Sequence, residues 1–353
     1  MNRATSTYLD IIRPLAALMV MLSHVSYAGL TLGQLSFMRS VGGQAVDIFF
    51  VLSGFVIAHV CATAEQDARG YFVSRAARIY SVAIPALILT FALDAIGIRA
   101  DPSTYADGFQ TFGPGLLARS LLFIGEQWNA HRFPGSDGPY WSLGFEVWYY
   151  VAFGAYVFAP ARMRWWAMSA VLAFIGPKVA LMFPAWLMGV ACHRLRQRHP
   201  RGRTSGWLLF GSSILLLAGY QFMPHSASPQ FAAFSFSSER LLSTAQDYGL
   251  ALVFSMNIVG FAAISDFFAP WLAQRATSIR WIAGGTFTLY LMHLPIMFFL
   301  ASISPWPKSS AWTLALLLVA TPIACMALAE ISERRKTTWR KIIMATTNRW
   351  VFA

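Results

Sequence analysis

Long apolar runs, interrupted by short polar segments, recur along the whole chain of 353 residues. An α-helix needs roughly 20 apolar residues to cross the hydrocarbon core of a bilayer, and most of these runs approach that length. The pattern therefore predicts an all-α polytopic integral membrane protein, a bundle of about ten transmembrane helices. The predicted spans are residues 10–30, 44–62, 80–98, 139–159, 165–176, 178–194, 206–223, 246–268, 281–303 and 311–331.

The fifth and sixth runs are too short for two full spans and too long for one. Pro177, Lys178 and Pro184 interrupt them, and proline ends or bends a helix because it lacks a backbone N–H. We therefore expect two short or tilted helices in a hairpin. Residues 99–138 are expected to form an external loop with a short re-entrant or interfacial element, because its apolar piece is short and contains Arg119.

The composition agrees with a membrane protein. Hydrophobic residues make up 57% of the chain and charged residues 12%, whereas about 25% are charged in soluble domains. The first run contains Arg13 and lacks a small-residue cleavage site, so we expect a retained span rather than a cleaved signal. The cysteines Cys61, Cys192 and Cys325 are far apart, and their spacing predicts neither a disulfide framework nor a metal site.

The net charge of +12 follows from where the basic residues lie. With the N-terminus inside, 19 of the 27 Lys and Arg residues fall at inner ends of spans, as the positive-inside rule requires. This bias predicts that both termini are cytoplasmic, and it explains the charge without a nucleic-acid partner. We expect a single transmembrane domain at 1–335 and a basic cytoplasmic tail at 336–353. The basic run at 193–203 is interpreted as a cytoplasmic loop, with a phosphate or lipid patch as the alternative.

The first predicted span carries two ionisable side chains at membrane depth. Arg13 and His24 are 11 residues apart, which places them on one helix face, about 16.5 Å apart along the axis. Such side chains are costly in a membrane and indicate a functional site. The structural alternatives are an Arg13 that pairs with Asp10 or extends to the interface, and a His24 that hydrogen bonds a backbone carbonyl.

Three further ionisable side chains fall within later spans. Asp47 lies early in the second, Glu146 lies among aromatic residues in the fourth, and His293 lies near the middle of the ninth. A structural partnership with a neighbouring helix explains Asp47 as well as a catalytic role does. For His293, the alternative is a hydrogen bond to a backbone carbonyl that Pro295 frees.

The predicted topology arranges these side chains as a polar column. Its outer half holds His24, Asp47 and Glu146, and its inner edge holds Arg13, Arg75 and Arg78. A histidine oriented by a carboxylate can remove a proton from a hydroxyl, and a basic mouth suits a phosphorylated ligand. The column therefore indicates transfer between a cytoplasmic donor and an external acceptor.

Five sequence blocks, in order between residues 8 and 296, resemble those of the membrane acyltransferase 3 family. The blocks are "LDIIRPLAALMVMLSH", "QAVDIFFVLSGFVI", "SRAARIYSVAIP", "YWSLGFEVWYY" and "TLYLMHLPI". The first is similar to the family's signature of an arginine, ten residues and a histidine. The third resembles its basic motif ahead of the third span, with Arg75 and Arg78 at the two arginines.

The resemblance implies O-acylation, most often O-acetylation, of carbohydrates or glycolipids outside the cytoplasm of a bacterium. It implies an inner-membrane location, acyl-CoA as the donor and no metal. His24 would be catalytic, Arg13 would act at the donor, and Arg75 with Arg78 would bind the donor.

Roles for the remaining polar residues follow from this reading. Glu146 or Asp47 is interpreted as the carboxylate that orients His24, while Asp10, Ser142 and His293 are further members of the polar channel. Direct attack and an acyl-histidine relay both stay open. The rival interpretation is a proton-coupled transporter or exporter that uses the same side chains as a proton relay.

Overall fold

A computed structural model describes residues 1–64, 67–106, 109–110, 113–198, 202–223 and 237–351. Residues 199–201 of the predicted basic run, 107–108 and 111–112 of the predicted external loop, and 352–353 of the predicted tail lie outside these ranges. The described residues form helices, with one isolated bridge between Gln110 and Gly135, and the all-α prediction is confirmed. The helices are α1 (Arg3–Val25), α2 (Ala28–Thr31), α3 (Val41–Thr63), α4 (Ala68–Ala100), α5 (Pro114–Leu121), α6 (Tyr140–Phe158), α7 (Arg164–Ile175), α8 (Pro177–Ala180), α9 (Phe183–Arg198), α10 (Arg203–Tyr220), α11 (Ser238–Ala283), α12 (Thr286–Ser302), α13 (Ala311–Ala329) and α14 (Lys336–Val351).

Several helical segments have the length and hydropathy of membrane spans. In the described ranges there are five, namely Arg3–Val25, Ser36–Thr63, Ala68–Ala100, Ser238–Ala283 and Ala311–Thr346. The bent pair that begins with α7 would make a sixth. Helices α6, α10 and α12 correspond to predicted spans but are not among these five. Helix α6 contains Glu146 among Trp and Tyr residues, α10 begins with Arg203, and α12 is short. The structure is that of a multi-spanning membrane protein, while about ten spans and cytoplasmic termini stay predictions.

The predicted hairpin of two short helices corresponds to α7 and α9. Segments Arg164–Ile175 and Pro177–Gln197 are bent by 119° relative to each other. Gly176 occupies the break with a φ of +81°, a backbone conformation that glycine adopts without steric cost. The chain therefore turns sharply at Gly176 instead of continuing as one straight helix.

Two helices extend well beyond their predicted limits. Helix α4 begins at Ala68, so Arg75 and Arg78 lie inside it rather than ahead of the span. Helix α11 has 46 residues, about 69 Å at 1.5 Å per residue, which exceeds the roughly 30 Å hydrocarbon core. The hydropathy pattern missed these extensions because their polar residues continue the helix without contributing to an apolar run.

The predicted external loop is anchored by a buried ion pair. Lys178 Nζ donates to Glu126 Oε2 at 2.5 Å and to the carbonyl oxygen of Ala130 at 2.9 Å. His131 Nδ1 lies 2.9 Å from Glu126 Oε1. These contacts fasten the loop to α8, and within the loop the short helix α5 carries an exposed Arg119.

Close helix packing positions α3 against α9. A side chain at Gly54 would collide with the carbonyl oxygen of Trp186, and one at Gly189 would collide with that of Val51. Small residues of this kind allow membrane helices to approach closely. The approach brings the indole Nε1 of Trp186 to 3.2 Å from Ser53 Oγ, to which it donates.

The predicted basic tail is also packed onto the bundle. Helix α14 lies against α4, and its first residue, Lys336, lines a cavity together with Arg75 and Arg78 of α4. This part of the chain thus contributes to the interior of the molecule.

Candidate active site

Two cavities lie within the bundle and meet at a shared wall. The first, here called the arginine cavity, has a volume of about 210 Å³ and is lined by Arg13, Arg75 and Arg78. The second, the histidine cavity, has a volume of about 770 Å³ and is lined by His24. Val46 and Tyr290 line both cavities and form the wall between them.

A pair of imidazoles connects α1 to α12. His24 Nδ1 lies 2.8 Å from His293 Nε2, and His293 Nδ1 lies 2.9 Å from the carbonyl oxygen of Leu289. A carbonyl oxygen only accepts, so His293 Nδ1 carries the hydrogen in this contact. In a neutral His293, Nε2 is then the acceptor, and the Nδ1–H of His24 must donate to it. This chain of hydrogen bonds leaves His24 Nε2 without a proton and able to accept one.

The partner of His24 differs from the sequence interpretation. We expected a carboxylate, Glu146 or Asp47, to orient it, but His293 makes that contact. The alternative for His293 was a hydrogen bond to a carbonyl that Pro295 frees, which in an α-helix is that of Leu291. His293 does bond a backbone carbonyl, but it is that of Leu289, four residues before it. The two contacts of His293 act together, because the carbonyl keeps the hydrogen on Nδ1 and leaves Nε2 as the acceptor for His24.

Glu146 belongs to the arginine cavity rather than to His24. Ser53 Oγ donates to Glu146 Oε1 at 2.7 Å, and the Tyr150 hydroxyl donates to the same oxygen. Arg78 interacts electrostatically with Glu146 and with the Tyr150 hydroxyl. A glutamate held by two hydroxyls beside a guanidinium is suited to positioning that guanidinium.

Asp47 lines neither cavity. It is buried, and its carboxyl group hydrogen bonds that of Asp247 in α11. Two carboxyl groups can make such a bond only when one of them carries a proton. The arrangement joins α3 to α11, so the structure favours the structural alternative for Asp47.

The arginine cavity collects charges of both signs. Five basic side chains line it, from Arg13, Arg75, Arg78, Arg280 and Lys336, and three acidic ones, from Asp10, Glu146 and Glu333. The formal balance of five against three is positive, which suits an anionic ligand.

Contacts within the cavity hold several of these groups in place. Arg13 Nη1 donates to Asp10 Oδ1 at 3.2 Å, which is the expected pairing along α1. The Arg75 guanidinium lies 5.7 Å from the ring centroid of Tyr71 and 5.9 Å from that of Tyr150, within reach of cation–π attraction. The ends of these side chains therefore converge on one space.

Glu333 is a site residue that sequence reasoning missed. Its Oε2 accepts from the backbone N–H groups of Phe287 at 2.9 Å and Thr288 at 3.1 Å. These groups lie in the first turn of α12, where backbone N–H groups lack partners and a negative charge is favoured. The carboxylate therefore caps the helix that carries Tyr290 and His293. No local pattern marks this role, because it depends on α13 returning beside α12.

Tyr290 and Ser142 place two hydroxyl groups at the shared wall. Tyr290 Oη and Ser142 Oγ are 2.6 Å apart. Ser142 Oγ can also donate to the carbonyl oxygen of Pro139 at 3.2 Å, which leaves the Tyr290 hydroxyl as donor to Ser142. Tyr290 is three residues before His293, and this spacing on one helix is the signal from which it could have been identified.

Within the described residues, no group of three or more His, Cys, Asp or Glu side chains is arranged to hold a metal ion. The side chains that line the two cavities supply imidazole, hydroxyl, carboxylate and guanidinium groups.

Comparisons with known proteins identify the family of the chain. The acyltransferase 3 family model, described as an acyltransferase domain, matches residues 6–330. "Acyltransferase MdmB" of Streptomyces mycarofaciens is 30% identical over 189 residues, which cover 49% of this chain and 46% of that protein. The chain thus spans about half the length of the curated relative that it matches. No solved structure matches the chain.

Proposed function

The chain belongs to the acyltransferase 3 family, and from that premise we propose that it O-acylates a carbohydrate or glycolipid acceptor. The donor is acyl-CoA, with acetyl as the expected acyl group, and the enzyme is a multi-pass protein of the bacterial inner membrane. The observation that carries the proposal is the His293–His24 pair, which leaves His24 Nε2 ready to accept a proton.

The donor is proposed to occupy the arginine cavity. Its phosphates would interact with Arg75 and Arg78, since guanidinium groups form bidentate, charge-assisted hydrogen bonds with phosphate. Arg13, about three turns inside α1 and paired with Asp10, would hold the donor arm. The thioester end would then reach the wall formed by Val46 and Tyr290, which both cavities share.

The acceptor is proposed to occupy the histidine cavity. Besides His24, this cavity is lined by hydrogen-bonding side chains such as Gln44 and Gln246 and by the aromatic faces of Tyr27 and Trp141. A few polar groups among aromatic walls are suited to orienting a ligand with several hydroxyl groups. Its volume of about 770 Å³ lies in the range of small-molecule sites.

The transfer step is proposed as a direct attack. His24 Nε2 removes the proton from an acceptor hydroxyl while that oxygen forms a bond to the thioester carbonyl carbon. The carbon–sulfur bond then breaks, and the imidazolium returns the proton to the departing thiolate, which yields the ester and free CoA. The Tyr290 hydroxyl, at the wall where the carbonyl must lie, would turn its hydrogen from Ser142 Oγ to the oxyanion that develops. Ser142 Oγ would then donate to Tyr290 Oη instead of to the Pro139 carbonyl oxygen.

The test is acyl transfer in membranes that contain either wild-type protein or His24→Ala. Radiolabelled acetyl-CoA is supplied, and labelled acceptor and free CoA thiol are both measured. We expect the substitution to lower the transfer rate by about 10²–10⁴ while the amount of folded protein is unchanged.

His59→Ala is the matched control because His59 also lies in a long helix and contacts His193, yet lines neither cavity. It should retain transfer close to wild type. Near-normal transfer by His24→Ala would refute the proposal, as would transport of an acceptor without release of CoA thiol.

A further inference from the structure

A third cavity lies apart from the candidate active site. It has a volume of about 750 Å³ and lies among α6, α7, α9, α10 and α11. Tyr156, Trp165, Met188, Leu252 and Met256 are among its lining residues. It shares no lining residue with the arginine cavity or the histidine cavity, so the proposed reaction does not account for it. We call it the lateral groove.

The lining of the lateral groove is almost entirely apolar. Its walls are aliphatic, aromatic and sulfur-containing side chains, with Ser255 and Arg194 as the polar exceptions. Water in such a space would lack the hydrogen-bond partners that it needs. In a membrane-embedded bundle the hydrocarbon of lipid chains is the solvent that can fill it.

Two arginines bring positive charge to the groove. Arg194 belongs to its lining. The guanidinium carbon of Arg164 lies 5.5 Å from the ring centroid of Tyr156, which is itself a lining residue. Arg164 Nε is buried and has no hydrogen-bond acceptor among the described residues, so an acceptor from outside the chain would satisfy it.

Acidic side chains do not offset this charge at the groove. None appears among the lining residues in the described part of the chain. Arg194 is exposed at the surface and lies in the basic run for which a lipid patch was the alternative interpretation. Two guanidinium groups beside an apolar space match a ligand with hydrocarbon chains and an anionic phosphate.

We propose that the lateral groove binds an anionic phospholipid. The acyl chains lie along the groove between α7 and α9 on one side and α10 and α11 on the other. The phosphate lies between Arg164 and Arg194. The chain turns through 119° at Gly176, and hydrocarbon chains would enter the groove from the membrane between the two arms of this turn.

The test measures which lipids stay with the purified protein. The protein is reconstituted in phosphatidylcholine bilayers with and without phosphatidylglycerol, extracted, and analysed by native mass spectrometry. Wild type should retain phosphatidylglycerol in preference to phosphatidylcholine. Arg164→Gln and Arg194→Gln should each reduce that preference about fivefold.

Two matched controls separate this site from general charge and surface effects. Arg275 also stacks on an aromatic ring, 4.6 Å from the centroid of Trp271, but lies outside the groove, so Arg275→Gln should keep the preference. Ala191→Trp places a ring in the groove and should lower lipid retention, whereas Leu215→Trp, on an exposed face of α10, should not.

Three outcomes would overturn the proposal. Equal retention of both lipids by wild type would show that hydrocarbon fills the groove without recognition of a net negative headgroup. An unchanged preference in both arginine variants would exclude the assigned headgroup site, and equal retention by Ala191→Trp and Leu215→Trp would exclude the groove. None of these readouts depends on acyl transfer, so the outcome is independent of the proposed enzyme activity.

Discussion

His293 Nε2 lies 2.8 Å from His24 Nδ1, and this contact joins the two histidines of α12 and α1. It replaces the carboxylate that commonly orients a catalytic histidine. An imidazole partner fixes the tautomer of His24 without placing a negative charge beside it. Since Leu289 fixes the tautomer of His293 in turn, the orientation of His24 depends on the backbone of α12.

Substitutions of His293 test this orientation. His293→Leu removes the acceptor for His24 Nδ1–H and should lower the rate of acyl transfer by about 10²-fold or more, within the range of acid–base contributions. His293→Gln supplies an amide oxygen that can accept the same hydrogen bond and should recover part of the rate. Initial rates with labelled acetyl-CoA in membranes measure both. Equal losses in the two variants would mean that His293 acts by something other than accepting from His24.

The hydroxyl of Tyr290 is expected to contribute to the rate and not to donor binding. Tyr290→Phe keeps the ring that separates the two cavities but removes the hydroxyl, and kcat should fall by about 10²–10³, the cost of losing one oxyanion donor. The KM for the donor should stay near wild type. Tyr80→Phe is the control, because the Tyr80 hydroxyl donates to the Leu121 carbonyl oxygen away from both cavities. A kcat for Tyr290→Phe equal to that of the control would remove Tyr290 from the chemistry.

Arg75 and Arg78 are expected to bind donor phosphates. Arg75→Gln and Arg78→Gln should each raise the KM for acyl-CoA by about 10-fold or more, since hydrogen bonds to charged groups contribute roughly 1.5–3 kcal/mol. Arg99→Gln, near the other end of the same helix α4, is the control and should leave the KM unchanged. The measurement is then repeated with a donor that lacks the 3′-phosphate. If the substituted arginine contacts that phosphate, the substitution raises the KM for this donor less than it raises the KM for acyl-CoA. Unchanged KM values in both variants would contradict the donor assignment.

Asp137, in the segment before α6, is expected to make stability depend on pH. Burial raises the pKa of this carboxyl group well above its ordinary value, and neighbouring Asp94 raises the pKa further. In the unfolded chain Asp137 ionises above a pH of about 4, whereas in the folded chain it keeps its proton to higher pH. Folded wild type therefore loses stability as the pH rises from that point.

Asp137→Asn removes this titration. Its melting temperature should exceed that of wild type at pH 8, and the two should converge near pH 4. In larger domains, a change of about 1 kcal/mol in the free energy of unfolding shifts the melting temperature by roughly 2–4 °C. Thermal unfolding of the purified proteins across this pH range gives the comparison, and parallel curves would contradict the assignment.

The periodicity of a single helix was enough to predict one part of the site. The 11-residue spacing of Arg13 and His24 predicted a shared face with well-separated ends, and the two side chains line different cavities. The pairing of Arg13 with Asp10 was also readable, because residues three apart on a helix are neighbours.

Contacts between helices could not be read in the same way. Whether Glu146 meets His24 or Arg78 depends on the rotation of α6 about its axis and on its depth relative to α1 and α4. Hydropathy leaves both undetermined, and the structure places Glu146 with Ser53 and Tyr150. Glu333 was missed for a related reason: its partners are backbone groups of α12, 45 and 46 residues earlier in the chain.

The wall of Val46 and Tyr290 has a consequence for the electrical properties of the membrane. An enzyme that joins a donor on one side to an acceptor on the other cannot contain a continuous water-filled pore without dissipating ion gradients. A narrow constriction with apolar side chains stays unwetted and blocks ions. In the proposed reaction the wall, lined by Val46 and the ring of Tyr290, would let an acyl group pass from one cavity to the other while ions are kept out.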